Sequence, residues 1–369
     1  MLINASSTTS KRSLWPPERS NEWAIDARGS QIRLTDGLWY DDWASALGAN
    51  TLGYGAYTPA FAPAVSLPWD KERQFADEFC KAMDVEAVRF FKSGSDAVSC
   101  AVRLARAFTG RSGVIVFKEC YHGTGDWHGY NLWASSGIPP MYTIDTYRCN
   151  FGEEMRLFDY AEIAAIVVEP VPKSITLPPP GWLQHLREVC DARGILLISD
   201  EVILGYRHTL RGYLRSQNLE ADLYAYGKAM GQGAAISACC GRKEIMEQLI
   251  DKVHFSGTNN GEWLPLEIAR WTLKEYQEQQ VCTRLDRNGH TLRTMLDKEG
   301  FETRGLNERF EVVFDSPEQR MDATRHCWRR GMLFPGFCSM AVAHTHEQMV
   351  RLVEALKEWR DECKTPQLA

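Results

Sequence analysis

An α/β fold is what this sequence predicts: a large domain built on a mostly parallel sheet covered by helices, followed by a smaller α+β region. Three observations predict it. Runs at 113–117, 163–168 and 195–199 are almost wholly apolar and of strand length, the pattern of strands buried on both faces. Stretches with helical apolar spacing separate them, as crossover connections require. The last hundred residues open with a long helical stretch at 264–279, and only weak strand patterns follow it.

In chain order, a strand at 31–34, a turn at Asp36-Gly37 and a strand at 38–43 come first. Phe75, Phe79 and Met83 recur at helical spacing and predict a helix over 71–84. A short strand at 88–91 leads through Lys92-Ser93-Gly94-Ser95 into a helix over 97–108. Strands at 113–117 and 163–168, a helix at 183–192, a strand at 195–199 and a short strand at 223–225 continue the alternation. Beyond 264–279 come weak strands at 301–304 and 310–314 and a final helix at 346–360. The expected division is an N-terminal segment, 1–45, contributing to the small domain and to dimer contacts, a large domain over 46–262, and a small domain over 263–369.

Composition narrows the function. Of 369 residues, 44% are hydrophobic and 24% charged, ordinary for a globular enzyme. The formal net charge of −6 gives no global attraction to nucleic acid or an anionic membrane. Eleven cysteines, with no CxxC pair, argue against a disulfide framework and a zinc ribbon, so no metal site is expected. Adjacent Cys239 and Cys240 read as buried thiols. The polar start lacks the apolar core of a secretory signal, and every apolar run is too short to span a bilayer. A reducing cytoplasm is the expected setting.

Four segments carry possible chemistry. The strand ending in Ser199-Asp200-Glu201-Val202 places a carboxylate at its C-terminal edge, where sites form in parallel sheets; the plain alternative is a turn cap. In Tyr226-Gly227-Lys228-Ala229 a lysine lies among small residues. Partial desolvation there would lower its pKa and make it nucleophilic; the alternative is a surface loop lysine. Neither a P-loop nor a GxGxxG spacing surrounds it. Ser93-Gly94-Ser95-Asp96 stands between strand and helix, suited to an anion at the helix N-terminus or simply to capping. Tyr121-His122-Gly123 offers an aromatic ring to stack on a planar group, or ordinary core packing.

Taken together in this order, these segments resemble class III aminotransferases of pyridoxal 5′-phosphate (PLP) fold type I, closest to the glutamate-1-semialdehyde aminomutase branch. The resemblance extends from about residue 25 to 356. It includes Arg89-Phe90-Phe91-Lys92-Ser93-Gly94-Ser95-Asp96-Ala97, Val168-Glu169-Pro170-Val171, Asp200-Glu201-Val202 and Gly227-Lys228-Ala229, with Ala343-His344-Thr345 matching the aminomutase branch in particular. It implies that Lys228 is the Schiff-base lysine and proton shuttle, that Asp200 pairs with the pyridine nitrogen, and that Val202 and Tyr121 flank the ring. It further implies that Ser93, Gly94 and Ser95 hold the phosphate, and that His122 and Glu169 lie near the cofactor. Thr258 would reach the phosphate of a neighbouring subunit, which implies a homodimer with shared sites.

The implied function moves an amino group on a small amino acid or aminoaldehyde. The alternative is a PLP-dependent decarboxylase, racemase or lyase on an unusual, even nucleotide- or polymer-linked, amine. The chain departs from the family pattern near 66–69 and between Trp133 and Asn150, where typical members are longer and build the substrate entrance. Arg12 and Arg19 are the candidates for a substrate-binding arginine.

Overall fold

The computed structural model describes residues 16, 18, 24–48, 50–55, 70–128, 137–153, 160–257 and 259–364. Two compact units divide the chain, one of residues 1–58 with 280–369 and one of residues 59–279.

The first unit begins with three antiparallel strands, β1 (Ala24–Arg28), β2 (Gln31–Leu34) and β3 (Trp39–Asp42). The Asp36-Gly37 turn joins the last two: Asp36 accepts the Leu38 N–H at 2.9 Å, and Gly37 takes a φ of +82° that glycine adopts without strain.

The second unit is organised around seven strands. These are β4 (Ala87–Phe91), β5 (Gly113–Phe117), β6 (Thr146–Cys149), β7 (Ile163–Val168), β8 (Leu196–Asp200), β9 (Leu223–Tyr226) and β10 (Ser237–Gly241), in the order β4-β10-β9-β8-β7-β5-β6. Pairs from β9 through β6 are parallel, while β10 runs antiparallel to both neighbours. Every residue of β5, β7, β8, β9 and β10 is buried, which explains why their sequences do not alternate.

Helix α1 (Asp70–Met83) buries Phe75, Phe79 and Met83, the three residues that predict it. Helix α2 (Gly94–Thr109) turns a face of small residues, Ala97, Ala101 and Ala105, into the core. Small side chains let a helix lie close on a sheet. Its ends are set by local chemistry. Ser93 is the N-cap, accepting the Asp96 N–H at 3.2 Å, and Gly110 closes the C-terminus at φ +70°. Helix α3 (Trp182–Arg193) stops the same way at Gly194. Helix α4 (Trp263–Gln279) packs on α1 within this unit, although its sequence position assigned it to the small domain.

The chain then completes the first unit with α5 (Val281–Lys298), β11 (Thr303–Leu306), β12 (Arg309–Val312), α6 (Pro317–Arg329), β13 (Met332–Leu333), β14 (Phe337–Ser339) and α7 (His346–Lys364). Strand β13 pairs in parallel with β3, and β11-β12-β14 form a small antiparallel sheet. Buried Asp41 ties this unit together by accepting from Gln31 at 2.8 Å, Gln348 at 2.7 Å and Arg351 at 3.1 Å. The His344 ring stacks on Trp43 with centroids 4.5 Å apart.

All eleven cysteines are free thiols, and Cys239 and Cys240 are fully buried. Among the described residues, no helix is long and apolar enough to cross a membrane.

Candidate active site

A cavity of about 220 Å³ opens in the second unit. The carboxyl ends of parallel strands β5, β7, β8 and β9 lead into it, where parallel sheets place ligands. Eight of the residues singled out from sequence line it: Gly94, Ser95, Tyr121, His122, Glu169, Asp200, Val202 and Lys228. Ser93 does not. Its hydroxyl is turned into the helix cap, where it also donates to Asp96 at 2.7 Å. Thr258, Arg12 and Arg19 lie outside the described residues, as do 66–69 and residues 133–136 at the start of the shortened segment. Lys92, Gly123, Ala234 and Ile236 also line the cavity. Lys92 and Gly123 adjoin the two motifs already noticed, while Ala234 and Ile236 carry no signal of their own.

Strand β8 delivers Asp200 to the wall, 4% exposed. Asp200 Oδ1 accepts the Val202 N–H at 3.1 Å, and Oδ2 meets His122 Nδ1 at 2.8 Å. With the carboxylate ionised, that ring nitrogen carries the proton. Val202 follows two residues later, on the same side as Asp200. Gly94 and Gly227 leave room around it: a Cβ at Gly94 would stand 2.9 Å from Val202 Cγ1, and one at Gly227 3.3 Å. A larger residue at either position would push Val202 into the space where a planar ring fits.

Lys228 begins a single 3₁₀ turn directly after β9 and Gly227. Its φ of +44° is left-handed, uncommon for a side-chain-bearing residue, and such conformations cluster at functional sites. The opposite rim is the start of α2. Ser95 Oγ accepts the Thr124 N–H at 3.1 Å, and Gly123, at φ +96°, approaches so closely that any Cβ would overlap the Ser95 side chain. Sixteen residues of helix direct their dipole at this rim.

Glu169 stands at the end of β7 and accepts the Tyr121 N–H at 2.7 Å. Burial and the neighbouring Asp200 charge push its pKa up to about 7, against the opposing pull of His122, the Tyr121 N–H and Lys228. The Tyr121 ring is half-buried, with the Lys173 ammonium 5.5 Å from its centroid.

These features fit PLP. A helix start with a hydroxyl suits a phosphate, a buried carboxylate suits a protonated ring nitrogen, and a lysine on a strained turn suits a reactive carbonyl. The glycine-relieved slot beside Val202 suits a flat ring. Fold and site together define a fold type I PLP enzyme.

Comparison with known proteins supplies the family. Residues 150–307 match the class-III aminotransferase family model. The glutamate-1-semialdehyde 2,1-aminomutase of Methanothermobacter thermautotrophicus is 31% identical over 390 aligned positions, covering 91% of each chain. That of Syntrophomonas wolfei is 36% identical over 278, covering 68% of this chain and 64% of that one. An omega-transaminase from Sphaerobacter thermophilus superposes with a TM-score of 0.87 at 22% identity, over 99% of this chain and 95% of that one. The chain belongs to the class III aminotransferases and is a PLP-dependent enzyme. Nothing in the matches favours the decarboxylase, racemase or lyase alternative.

Proposed function

We propose that the protein moves an amino group to, from or within a small amine or amino acid, with Lys228 as the residue that holds PLP and shuttles the proton. The observation that carries this is the placement of Lys228 and the His122–Asp200 pair on the walls of one cavity. When bound, PLP supplies an electrophilic carbonyl and an electron-accepting ring.

The protein's own residues do the rest. Asp200 holds a proton at the ring nitrogen, and its charge is kept in place by His122 and the Val202 N–H. Val202 and Tyr121 would supply apolar and aromatic surface for a planar cofactor ring. Gly94, Ser95 and the first turn of α2 bind the phosphate. Lys228 would hold the cofactor's carbonyl, and its amine when free would serve as base and acid for the substrate's Cα proton. Glu169, with its pKa pushed up to about 7, is about half neutral near pH 7 and so adds less fixed negative charge beside Asp200 than an ordinary carboxylate would.

Thr258 is assigned to the phosphate of a neighbouring copy, so the working form is a homodimer with shared sites. Eleven free thiols support a cytoplasmic setting. The substrate class follows from the aminomutase-like sequence pattern, reinforced by the names of the relatives.

The test is a single-turnover experiment. PLP-loaded protein is mixed with a panel of amino donors, and visible absorption and keto or aldehyde product are followed, with Lys228→Ala as control. Donors are expected to bleach the band of the lysine-held cofactor and yield stoichiometric product. A fully loaded protein that yields none with any donor would contradict amino transfer; intramolecular isomerisation of an aminoaldehyde is scored separately by product analysis.

A further inference from the structure

Two buried imidazole nitrogens, one on the ring paired with Asp200 and one on the ring next to it, have no hydrogen-bond partner among the described residues: His122 Nε2 and His128 Nε2. Both residues are well over nine-tenths buried, at 2% and 6% exposure. Their ring centroids are 6.0 Å apart with planes at 81°, and Trp127 borders both, its ring 6.4 Å from His122 and 4.7 Å from His128. Buried polar atoms are seldom left unpaired, and an ordered water is the usual remedy.

The chemistry of the two rings matches one water. Burial, the neighbouring His122 and Arg148 hold His128 down at about 3, so it is neutral at working pH. Its own backbone carbonyl opposes that shift by a hydrogen bond, which favours a proton on the nitrogen other than Nε2. His128 Nε2 then presents a lone pair. His122 gives its Nδ1 proton to Asp200, so in its neutral form Nε2 is a lone pair as well. A water has two protons, so one molecule can donate to both nitrogens through hydrogen bonds of about 2.9 Å each.

We propose that His128 is a positioning residue: through one buried water shared with His122, it fixes the His122 ring as the Nδ1–H donor to Asp200. The groups facing His122 are then Asp200 on one side, Trp127 across its plane and the water-linked His128. A water donating to His122 Nε2 disfavours the opposite tautomer, which would aim a lone pair at the Asp200 carboxylate. The inference rests on Asp200 serving the ring nitrogen of PLP, but it concerns a proton within the protein.

The experiment uses the full chain labelled with ¹⁵N-histidine, with and without PLP. In the wild type, His122 is expected as a single Nδ1–H tautomer with a slowly exchanging proton. In His128→Phe the tautomers should mix, or that proton exchange at least about tenfold faster. His128→Gln, whose amide oxygen also accepts from water, should restore the wild-type signal, which a purely structural role would not. Unchanged His122 tautomer and exchange in folded His128→Phe would overturn the proposal. Should that variant not fold, a high-resolution crystal structure of the wild type decides: a water within hydrogen-bond reach of both Nε2 atoms supports it, and none refutes it. Because these readouts are made without turnover, their failure would leave the amino-transfer reading intact, and the converse also holds.

Discussion

Asp41 and Asp200 are both enclosed carboxylates at strand ends, one in each compact unit, and their surroundings differ in kind. Around Asp41 the protein closes on itself: Oδ1 accepts from Gln31 and Gln348, Oδ2 from Arg351. Asp200 has one N–H at Oδ1 and one ring nitrogen at Oδ2, and beyond them lies open cavity. Next to it Glu201, also fully buried, is saturated by the Leu214 and Tyr213 N–H groups and the Ser199 hydroxyl. A structural carboxylate is one whose bonds all end within the chain; a functional one keeps acceptor capacity directed at empty space. Buried polar clusters that are complete rigidify a fold, whereas incomplete ones are costly unless a ligand completes them.

Breaking each carboxylate should therefore have a different signature. Asp200→Asn removes charge where the ring nitrogen needs it; kcat is expected to fall about 10²–10³-fold, with the unfolding temperature little changed. A stability loss without a rate loss would place Asp200 in the structural class. Asp41→Ala should do the reverse, leaving Gln31, Gln348 and Arg351 without their shared acceptor. Chemical denaturation should register a loss of about 3 kcal/mol.

Glu201 sharpens the contrast through pH. Burial raises its pKa to about 7 despite three hydrogen bonds, while the unfolded carboxyl titrates near its ordinary value. The folded state therefore holds the proton more tightly. Its stability contribution is full below about pH 4.5 and is lost as pH rises through about 7, a change of up to roughly 3 kcal/mol. Denaturation at a series of pH values should show the wild type losing ground to Glu201→Gln between these limits; parallel curves would refute the shift. The smallest effect concerns the ring wall. Tyr121→Ala should weaken PLP binding about tenfold or less, and Tyr121→Phe hardly at all, because the ring rather than the hydroxyl makes the contact. Equilibrium titration with PLP measures both.

The sequence was most legible where burial was complete. Strands 113–117 and 163–168 coincide with β5 and β7 because nothing but apolar side chains fills them. Strand β10, Ser-Ala-Cys-Cys-Gly, went unread because its small residues carry no β-branched signal. Helix α5 was also missed, because Gly289, where a Cβ would overlap the Asn307 carbonyl, interrupts the apolar spacing of Val281, Leu285, Leu292 and Leu296 on its buried face. Of α6 only the basic face at Arg325, Arg329 and Arg330 was legible. At the site, eight lining residues were gathered through the family resemblance that the order of these segments carries, Glu169 by that resemblance alone. The role of Ser93 was not legible, since N-cap and phosphate ligand ask for the same hydroxyl at the same place. His128 gave no sign at all, because a lone histidine after a tryptophan becomes informative only when its buried nitrogen is seen to lack a partner.

The central claim is that Lys228 holds the cofactor, and the attachment site can be read directly. Loading the protein with PLP, reducing the linkage with borohydride and sequencing the labelled peptide by mass spectrometry should place the adduct on Lys228 alone, with none in Lys228→Ala. An adduct on another lysine, or one that survives in the alanine variant, would contradict the account.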